Sequence, residues 1–319
     1  MNIVFMGTPA FALPTLEKLN ASRHRIAAVI TQPDRPRGRG RAVQPPPVKE
    51  YALSRGLPVM QPEKASAPDV VERIAGLEPE VIVVIAFGQL LKPNLLAVPR
   101  HFCMNVHASL LPRYRGAAPI NWAIINGETE TGITTMKMDA GMDTGDILLK
   151  RATPIDPMET AVELQARLAG IGGDLALETL DRLEAGALVP IPQNPAEATL
   201  APKLKKEDGL LDWTQPADKL HNRVRGVEPW PGAFTFWRGR RLRLGRTEVA
   251  PGEPADRPGV LARVSDYGLE VGTGNDRLVI REVQPEGKKR MAVKSFLAGH
   301  PLQAGEIFSA RPPQPAEKD

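Results

Sequence analysis

The chain has 319 residues, of which 42% are hydrophobic and 24% charged, and its formal net charge is +4. This length predicts two domains, and the composition is that of a globular protein with enough apolar residues for a sizeable core. No apolar run approaches the roughly 20 residues that a membrane-spanning helix needs.

The first residues, MNIVFMGTP, enter a strand-like run without a basic leader, so we expect no export signal. The single cysteine, Cys103, has no disulfide partner within the chain, and we expect it to be an inert, packed thiol. No Cys/His spacing resembles a zinc site, so no metal is expected. Together these features predict a cytoplasmic protein.

Apolar runs and amphipathic stretches alternate through the first half of the chain. The runs predict buried strands at 2–6, 25–31, 81–87 and 103–108. Helical spacing occurs at 14–19, 48–56, 68–76 and 160–186. Strands rich in Val and Ile and separated by helices favour a doubly wound, mostly parallel sheet. We therefore predict an α/β, Rossmann-like domain over 1–189, although GTPAFA after the first strand lacks the spacing of a dinucleotide site.

The second half has a different pattern. A Pro-rich, polar stretch over 190–206 predicts a linker. Beyond it, a short helix and several strand-like pieces with Gly or Pro turns predict a small, OB-like β-barrel over 207–312, followed by a frayed tail over 313–319.

Residues 105–119, NVHASLLPRYRGAAP, place an Asn and a His two apart at the end of a predicted buried strand. Side chains two apart on a strand point to the same face, so Asn105 and His107 would converge on one spot. A His at a strand end also commonly just satisfies a backbone group. Ser109 has no nucleophile-elbow motif around it, which argues against a serine hydrolase.

A Gly-rich loop with three acids follows the next predicted strand, and it contains Asp139, Asp143 and Asp146. Acids in such loops often cap their own turns. However, a His that carries a proton, an amide that donates to an oxygen and a carboxylate that holds the His are the parts needed for acyl transfer to an amine. The complete set of Asn, His and Asp therefore favours a catalytic role over a purely structural one.

The segments NVHASLLPRYRGAAP and DAGMDTGDI together resemble the signature of the folate-dependent formyltransferases. The resemblance continues through GTPAFALPTLEKL, TQPDRPRGRG, PPPVKEYALSRGLPV, APKLKKEDGLLDW and EPWPGAF, and weakens after about residue 250. In this order the segments are similar to the family members that formylate methionine on initiator methionyl-tRNA. The resemblance implies 10-formyltetrahydrofolate as the formyl donor and no metal.

The resemblance also implies roles for individual residues. Asn105 and His107 would flank the formyl oxygen and stabilise the oxyanion of the tetrahedral intermediate. Asp143 would hold His107 and help carry the amine proton, through water, toward the departing folate nitrogen. The folate pocket would be lined by Phe87, Gly88, Leu90, Ser109, Leu110, Leu111, Pro112 and Asp139.

Basic residues are concentrated in a Pro/Gly-rich stretch over 31–49, TQPDRPRGRGRAVQPPPVK, for which we predict an extended, mobile loop without regular structure. Such a loop is usually only a solvated surface. Further basic residues at the domain junction and on one barrel strand change that expectation, since small barrels of this kind bind nucleic acid on such a face. The residues expected to contact tRNA are Arg37, Arg39, Arg41, Lys203, Lys206, Arg241 and Arg243.

Two other functions stay open from sequence alone. Relatives with the same catalytic domain formylate a glycinamide nucleotide or an amino-sugar nucleotide. An amino-sugar enzyme, the nearer alternative, would not need this many basic residues in one loop. A noncatalytic RNA-binding protein would explain the charges but not the Asn, His and Asp set. From the resemblance we expect a monomer.

Overall fold

The computed structural model describes residues 1–37 and 42–310. It divides into two compact units built from interleaved segments. The first contains the described residues of Met1–Pro119, Glu130–Pro154 and Gln165–Ala201, and the second contains Ile120–Thr129, Ile155–Leu164 and the described residues from 202 onward. Within the described ranges, no helix is long and apolar enough to cross a membrane.

The strands up to residue 201 are β1 (Asn2–Gly7), β2 (Arg25–Ile30), β3 (Arg35–Arg37), β4 (Ala42–Gln44), β5 (Val59–Met60), β6 (Val81–Ile85), β7 (Phe102–His107), β8 (Arg115–Gly116), β9 (Glu130–Lys137), β10 (Ile147–Pro154) and β11 (Leu200–Ala201). The helices in this part of the chain are α1 (Leu13–Asn20), α2 (Pro47–Ser54), α3 (Pro68–Ala75), α4 (Pro93–Leu96), α5 (Pro119–Ile125) and α6 (Ala161–Glu184).

The first unit is organised around a sheet in the order β10-β9-β7-β6-β1-β2-β5. The five strands from β7 to β5 are parallel, and β9 and β10 extend the sheet in antiparallel pairs. Residues Val81–Ile85 are all buried, as expected for a strand covered on both faces. The register sets Gly7 opposite Ile85 and Val84 opposite Asn105, so the carboxyl ends of β1, β6 and β7 meet at one edge. Ligands of doubly wound sheets bind at this edge.

The basic stretch has more regular structure than its sequence predicted. The expectation of a loop without regular elements is wrong, because β3 and β4 pair as an antiparallel hairpin. A two-stranded hairpin leaves its outer edges unpaired, so Pro36 can lie in β3 without removing a needed donor. The base of the hairpin is fixed by Asp34, which accepts hydrogen bonds from Lys49 at 2.6 Å and Gln61 at 2.7 Å.

The strands of the C-terminal part are β12 (Phe234–Trp237), β13 (Arg240–Leu244), β14 (Thr247–Ala250), β15 (Leu261–Ser265), β16 (Gly268–Gly272), β17 (Arg277–Ile280), β18 (Glu282–Pro285), β19 (Met291–Ala292) and β20 (Phe308–Ser309). The helices are α7 (Ala217–Gly226) and α8 (Val293–Leu297).

These strands form two antiparallel sheets that are connected at two places. The sheet orders are β19-β18-β13-β12-β20 and β14-β17-β16-β15. The ladder continues from the β13–β18 pair to the β14–β17 pair, where Gly245 donates to the Glu282 carbonyl and the Arg281 amide donates to the Arg246 carbonyl. Beside β15 and β20, an isolated bridge connects Val260 with Ile307. The strands thus close into the small barrel that the sequence predicted.

Candidate active site

Asn105 and His107 lie at the carboxyl end of β7, where Met136 and Thr134 of β9 stand opposite them. Because they are two residues apart on a strand, both side chains face the same side of the sheet. His107 is only 6% exposed, whereas Asn105 is half-buried. The predicted convergence of the amide and the imidazole follows from this placement.

Asp143, in the loop between β9 and β10, joins the two side chains. Its Oδ1 accepts a hydrogen bond from Asn105 Nδ2 at 3.3 Å, and its Oδ2 accepts one from the Gly116 amide at 2.9 Å. The same Oδ2 lies 3.6 Å from His107 Nδ1. The three residues predicted as catalytic are therefore brought together around one carboxylate.

The backbone around His107 fixes the state of its ring. Nε2 lies 2.9 Å from the carbonyl oxygen of Tyr114. A carbonyl only accepts, so Nε2 carries a proton and, in the neutral ring, Nδ1 has the lone pair. The 3.6 Å between Nδ1 and Asp143 is longer than a hydrogen bond, which leaves Nδ1 available to a third group. Nδ1 is thus the nitrogen that can exchange a proton with a substrate.

Backbone strain is concentrated at this edge of the sheet. Ala86, Tyr114 and Asp143 are non-glycine residues with φ angles of 45°, 61° and 55°. Each such conformation costs on the order of 1–3 kcal/mol and persists where surrounding contacts impose it, commonly at functional sites. Ala86 directly follows β6, Tyr114 holds His107, and Asp143 carries the carboxylate.

The turn after His107 is part of the support of the site. Thr134 on β9 donates to the Ser109 carbonyl at 2.6 Å and accepts from the Leu111 amide at 3.1 Å. Ser109 and Leu111 have no exposed surface, and Pro112 is also buried. Of the four residues predicted here for the folate pocket, Leu110 is the half-buried one that reaches the surface.

The loop after β6 borders a cavity of about 430 Å³, a volume typical of small-ligand sites. Phe87 and Gly88 line it together with Thr8, Gln32 and Arg35. Phe87 is 2% exposed, and its carbonyl accepts hydrogen bonds from Thr8 Oγ1 and Gln32 Nε2. Leu90, by contrast, is 78% exposed.

Asp139 has the turn-capping contacts that its loop position also allowed. Its carboxylate accepts hydrogen bonds from Thr144 Oγ1 at 2.7 Å and from the Gly141 amide at 3.0 Å. The side chain is exposed and lies outside the group formed around Asp143.

The residues predicted to contact tRNA differ in their environments. Arg39, Arg41 and the side chain of Arg37 lie outside the described residues. Lys203 and Lys206 are exposed.

The two barrel arginines have partners within the protein. Leu242 and Leu244 are buried, and Arg241 and Arg243, which alternate with them on β13, are half-buried. The Arg241 guanidinium stacks 3.9 Å above the Phe234 ring. Arg243 donates to the Pro231 carbonyl at 2.8 Å, and burial lowers the pKa of its guanidinium. The charge pattern alone did not reveal these contacts.

Two further residues that hold Asp143 in place were not identified from the sequence. Gly116 has a φ of +120°, and a Cβ there would lie 2.8 Å from the Ala201 carbonyl oxygen, so only glycine brings this amide to Asp143. Gln193 donates to the carbonyls of Asp143 at 2.8 Å and Gly145 at 2.7 Å. Gly116 belongs to the signature segment over 105–119 and could have been found there. Gln193 lies in the predicted linker, where no sequence pattern indicated a role in the site.

Residues 1–180 match the Formyl transferase family, and residues 203–301 match the Formyl transferase, C-terminal domain family. The chain belongs to the formyl transferase family. The resemblance indicated by its sequence is thereby confirmed. Methionyl-tRNA formyltransferase of Geotalea uraniireducens is 54% identical to this formyl transferase over 311 residues, which cover 98% of this chain and 99% of that protein.

Solved structures share the fold at much lower identity. An N-formyltransferase of Helicobacter canadensis, in complex with folinic acid and dTDP-3-aminofucose, is 16% identical with a TM-score of 0.67, covering 89% of this chain and 98% of its own. Methionyl-tRNA formyltransferase of Clostridium thermocellum is 19% identical with a TM-score of 0.54, covering 79% and 95%. At these identities the similarity supports the α/β fold class and does not identify the acceptor.

Proposed function

We propose that this formyl transferase moves the formyl group of 10-formyltetrahydrofolate to the amino group of methionine on initiator methionyl-tRNA. The observation that carries the proposal is the convergence of Asn105, His107 and Asp143 at the carboxyl end of β7. These are the parts of an acyl transfer to an amine, in a chain whose near-full-length relatives include methionyl-tRNA formyltransferases.

Asn105 supplies a donor for the developing oxyanion. When the amine nitrogen attacks the formyl carbon, the new C–N bond shifts electrons onto the formyl oxygen. An amide nitrogen carries two hydrogens, and Asn105 uses one of them on Asp143. The second is free to donate to the formyl oxygen, and a preorganised donor of this kind is worth about 3 kcal/mol in the transition state.

We assign the proton to His107 and Asp143, and the oxyanion, which the resemblance assigned to both Asn105 and His107, to Asn105 alone. The attacking amine loses a proton, and Nδ1 of His107 has the lone pair to receive it, because Nε2–H is committed to Tyr114. The imidazolium that forms faces the Asp143 carboxylate, which stabilises its charge. As the bond from the formyl carbon to the folate nitrogen breaks, that nitrogen takes the proton, so charge and atoms balance.

The formyl donor is assigned to the same edge of the sheet, where the carboxyl ends of β1, β6 and β7 meet. The cavity after β1 and β6 includes Phe87 and Gly88, two of the residues that we assign to folate binding. Arg35, on its rim, begins the basic hairpin, so the cavity leads toward the segment that we assign to the tRNA acceptor end. Lys203 and Lys206 add exposed positive charge at the start of the chain's second family match. We further propose a monomer that acts in the cytoplasm.

An amino-sugar nucleotide is the second candidate acceptor. It is the acceptor class to test against, because the Helicobacter canadensis enzyme has the same fold and its complex contains an amino sugar linked to dTDP. The basic hairpin and the 54% identity to a methionyl-tRNA formyltransferase favour tRNA instead.

The direct test supplies the purified protein with 10-formyltetrahydrofolate carrying a labelled formyl carbon and with initiator methionyl-tRNA. Base hydrolysis of the ester then releases the amino acid for mass spectrometry. We expect labelled N-formylmethionine, and more slowly formed product when elongator methionyl-tRNA is the acceptor. Unmodified methionine from both tRNAs would contradict the proposal.

A further inference from the structure

We infer that Gln193 is a positioning residue for the reaction. It lies in a segment over 191–201, here called the brace, that holds the loop of Asp143 in its working conformation. The inference rests on the proposed function, because it assigns to Gln193 an effect on the group that stabilises His107. The same segment was predicted from sequence to belong largely to a linker.

The brace contacts both loops that build the site. At its start, Ile191 exchanges two backbone hydrogen bonds of 2.8 Å with Ile147, at the end of the Asp143 loop. At its end, β11 pairs in parallel with β8, so that Ala201 stands opposite Gly116. Between them, Thr199 Oγ1 accepts from the Tyr114 amide at 2.9 Å. The brace thus contacts both Gly116, which donates to Asp143, and Tyr114, which holds His107.

Hydrogen bonds, more than apolar burial, attach the brace. Its large apolar side chains point to solvent, with Ile191 58% exposed and Leu200 68% exposed. Gln193 is half-buried among mostly exposed neighbours. Since little hydrophobic area anchors the segment, the contacts of Gln193 contribute a large share of its attachment.

The amide of Gln193 is fully used. Its Oε1 accepts from Arg115 Nη2 at 2.7 Å and Nε at 3.1 Å. Its Nε2 donates to the carbonyls of Asp143 and Gly145, at 2.8 and 2.7 Å. The arginine can only donate and the carbonyls can only accept, so these partners fix the orientation of the amide. A carboxylate at this position would keep Arg115 but would have no donor for the two carbonyls.

The backbone of Asp143 needs such support because its φ of 55° is unfavourable for a residue with a side chain. Without the donor of Gln193, the peptide after Asp143 is freer to rotate to an ordinary conformation. The Asp143 carboxylate would then lose its contacts with Asn105, Gly116 and His107 at the same time. A displacement of about 1 Å in a catalytic group can cost on the order of 100-fold in rate.

The test compares Gln193→Ala and Gln193→Glu with wild type in formyl transfer to initiator methionyl-tRNA. We expect both variants to lower kcat by about 10- to 100-fold, with the KM for methionyl-tRNA nearly unchanged. Asn194→Ala is the matched control, because Asn194 lies in the brace and its side-chain amide is hydrogen-bonded to Glu197 and the Ala196 amide, both within the brace itself. It should keep the wild-type kcat. A Gln193→Glu variant with wild-type kcat would overturn the role assigned to the two donated hydrogen bonds.

A double-mutant cycle separates positioning from general stability. If Gln193 acts through Asp143, Gln193→Ala should cost little further rate in an Asp143→Asn background. An equal fold loss in both backgrounds would overturn the inference.

Amide hydrogen exchange supplies a readout that does not depend on activity. Peptides covering 139–147 and 114–118 should exchange faster in Gln193→Ala but not in Asn194→Ala, and unchanged exchange in both variants would also overturn the inference. If wild type itself fails to formylate methionyl-tRNA, the proposed function fails instead, and the exchange result still decides whether Gln193 holds the loop.

Discussion

Removal of the Asn105 amide tests the oxyanion assignment. Asn105→Ala deletes the free N–H that we assign to the formyl oxygen, and losing one such donor costs about 3 kcal/mol, or on the order of 100-fold or more in rate. Asp143 loses its 3.3 Å contact with Asn105 but keeps the 2.9 Å bond from Gly116, so the carboxylate should stay near its place. The loss should therefore fall on the transition state.

Single-turnover kinetics with enzyme in excess, combined with equilibrium binding of the folate donor, separates a loss of transition-state stabilisation from a loss of donor binding. We expect a rate constant about 100-fold lower and donor affinity close to that of wild type. Asn20→Ala is a suitable control, because Asn20 is the last residue of α1 and its amide donates to the Tyr51 hydroxyl at 3.5 Å, away from the group around Asp143. A loss expressed entirely as weaker donor binding would refute the reasoning, since it would mean that Asn105 positions substrate and does not stabilise charge.

Three further predictions concern other parts of the molecule. Arg39→Ala should raise the KM for methionyl-tRNA and reduce the log–log salt slope by roughly 0.9, while the stability stays within about 0.5 kcal/mol of wild type. An unchanged slope, also with Arg37→Ala and Arg41→Ala added, would count against tRNA contact by the basic stretch over 31–49. Burial raises the pKa of the Cys103 thiol to about 12, so Cys103 should react with a thiol reagent only as fast as the protein unfolds, and rapid labelling of the native state would contradict this. Hydrogen bonds from Arg246 and Thr160 lower the pKa of Glu163 to about 2 from 4.5, so ionised Glu163 stabilises the fold above pH 4.5, and this contribution is lost as the pH falls toward 2. Glu163→Gln should consequently lower the melting temperature at pH 7 and match wild type near pH 2, and a constant difference across this range would argue against the ion pair.

The convergence of Asn105 and His107 was predictable because the required information is local. Asn105 and His107 share a strand face through their spacing alone, and the apolar run before them identified the strand. Asp143 needed the family resemblance, since its loop also suits turn capping, and Asp139 in the same loop does have that role. The parallel core followed from continuous Val and Ile runs such as 81–85.

The features that were not predicted from the sequence depend on contacts that sequence patterns do not show. Gln193 touches the site because a segment about fifty residues beyond Asp143 returns to it, and hydrogen bonds between exposed segments leave no periodic signal in sequence. The hairpin of β3 and β4 was missed because prolines were taken to forbid strands, although an unpaired edge accepts them. Arg241 and Arg243 were assigned to tRNA by charge alone, and the structure gives both of them aromatic or carbonyl partners within the barrel.

The identity of the acceptor is tested most directly by measuring kcat/KM for initiator methionyl-tRNA and for a dTDP-linked amino sugar, with the same concentration of 10-formyltetrahydrofolate. We expect efficient transfer to methionyl-tRNA and a value at least about 1,000-fold lower for the amino sugar, a ratio that corresponds to roughly 4 kcal/mol of transition-state discrimination. Equal or better transfer to the amino sugar would contradict the assignment of this chain to methionyl-tRNA.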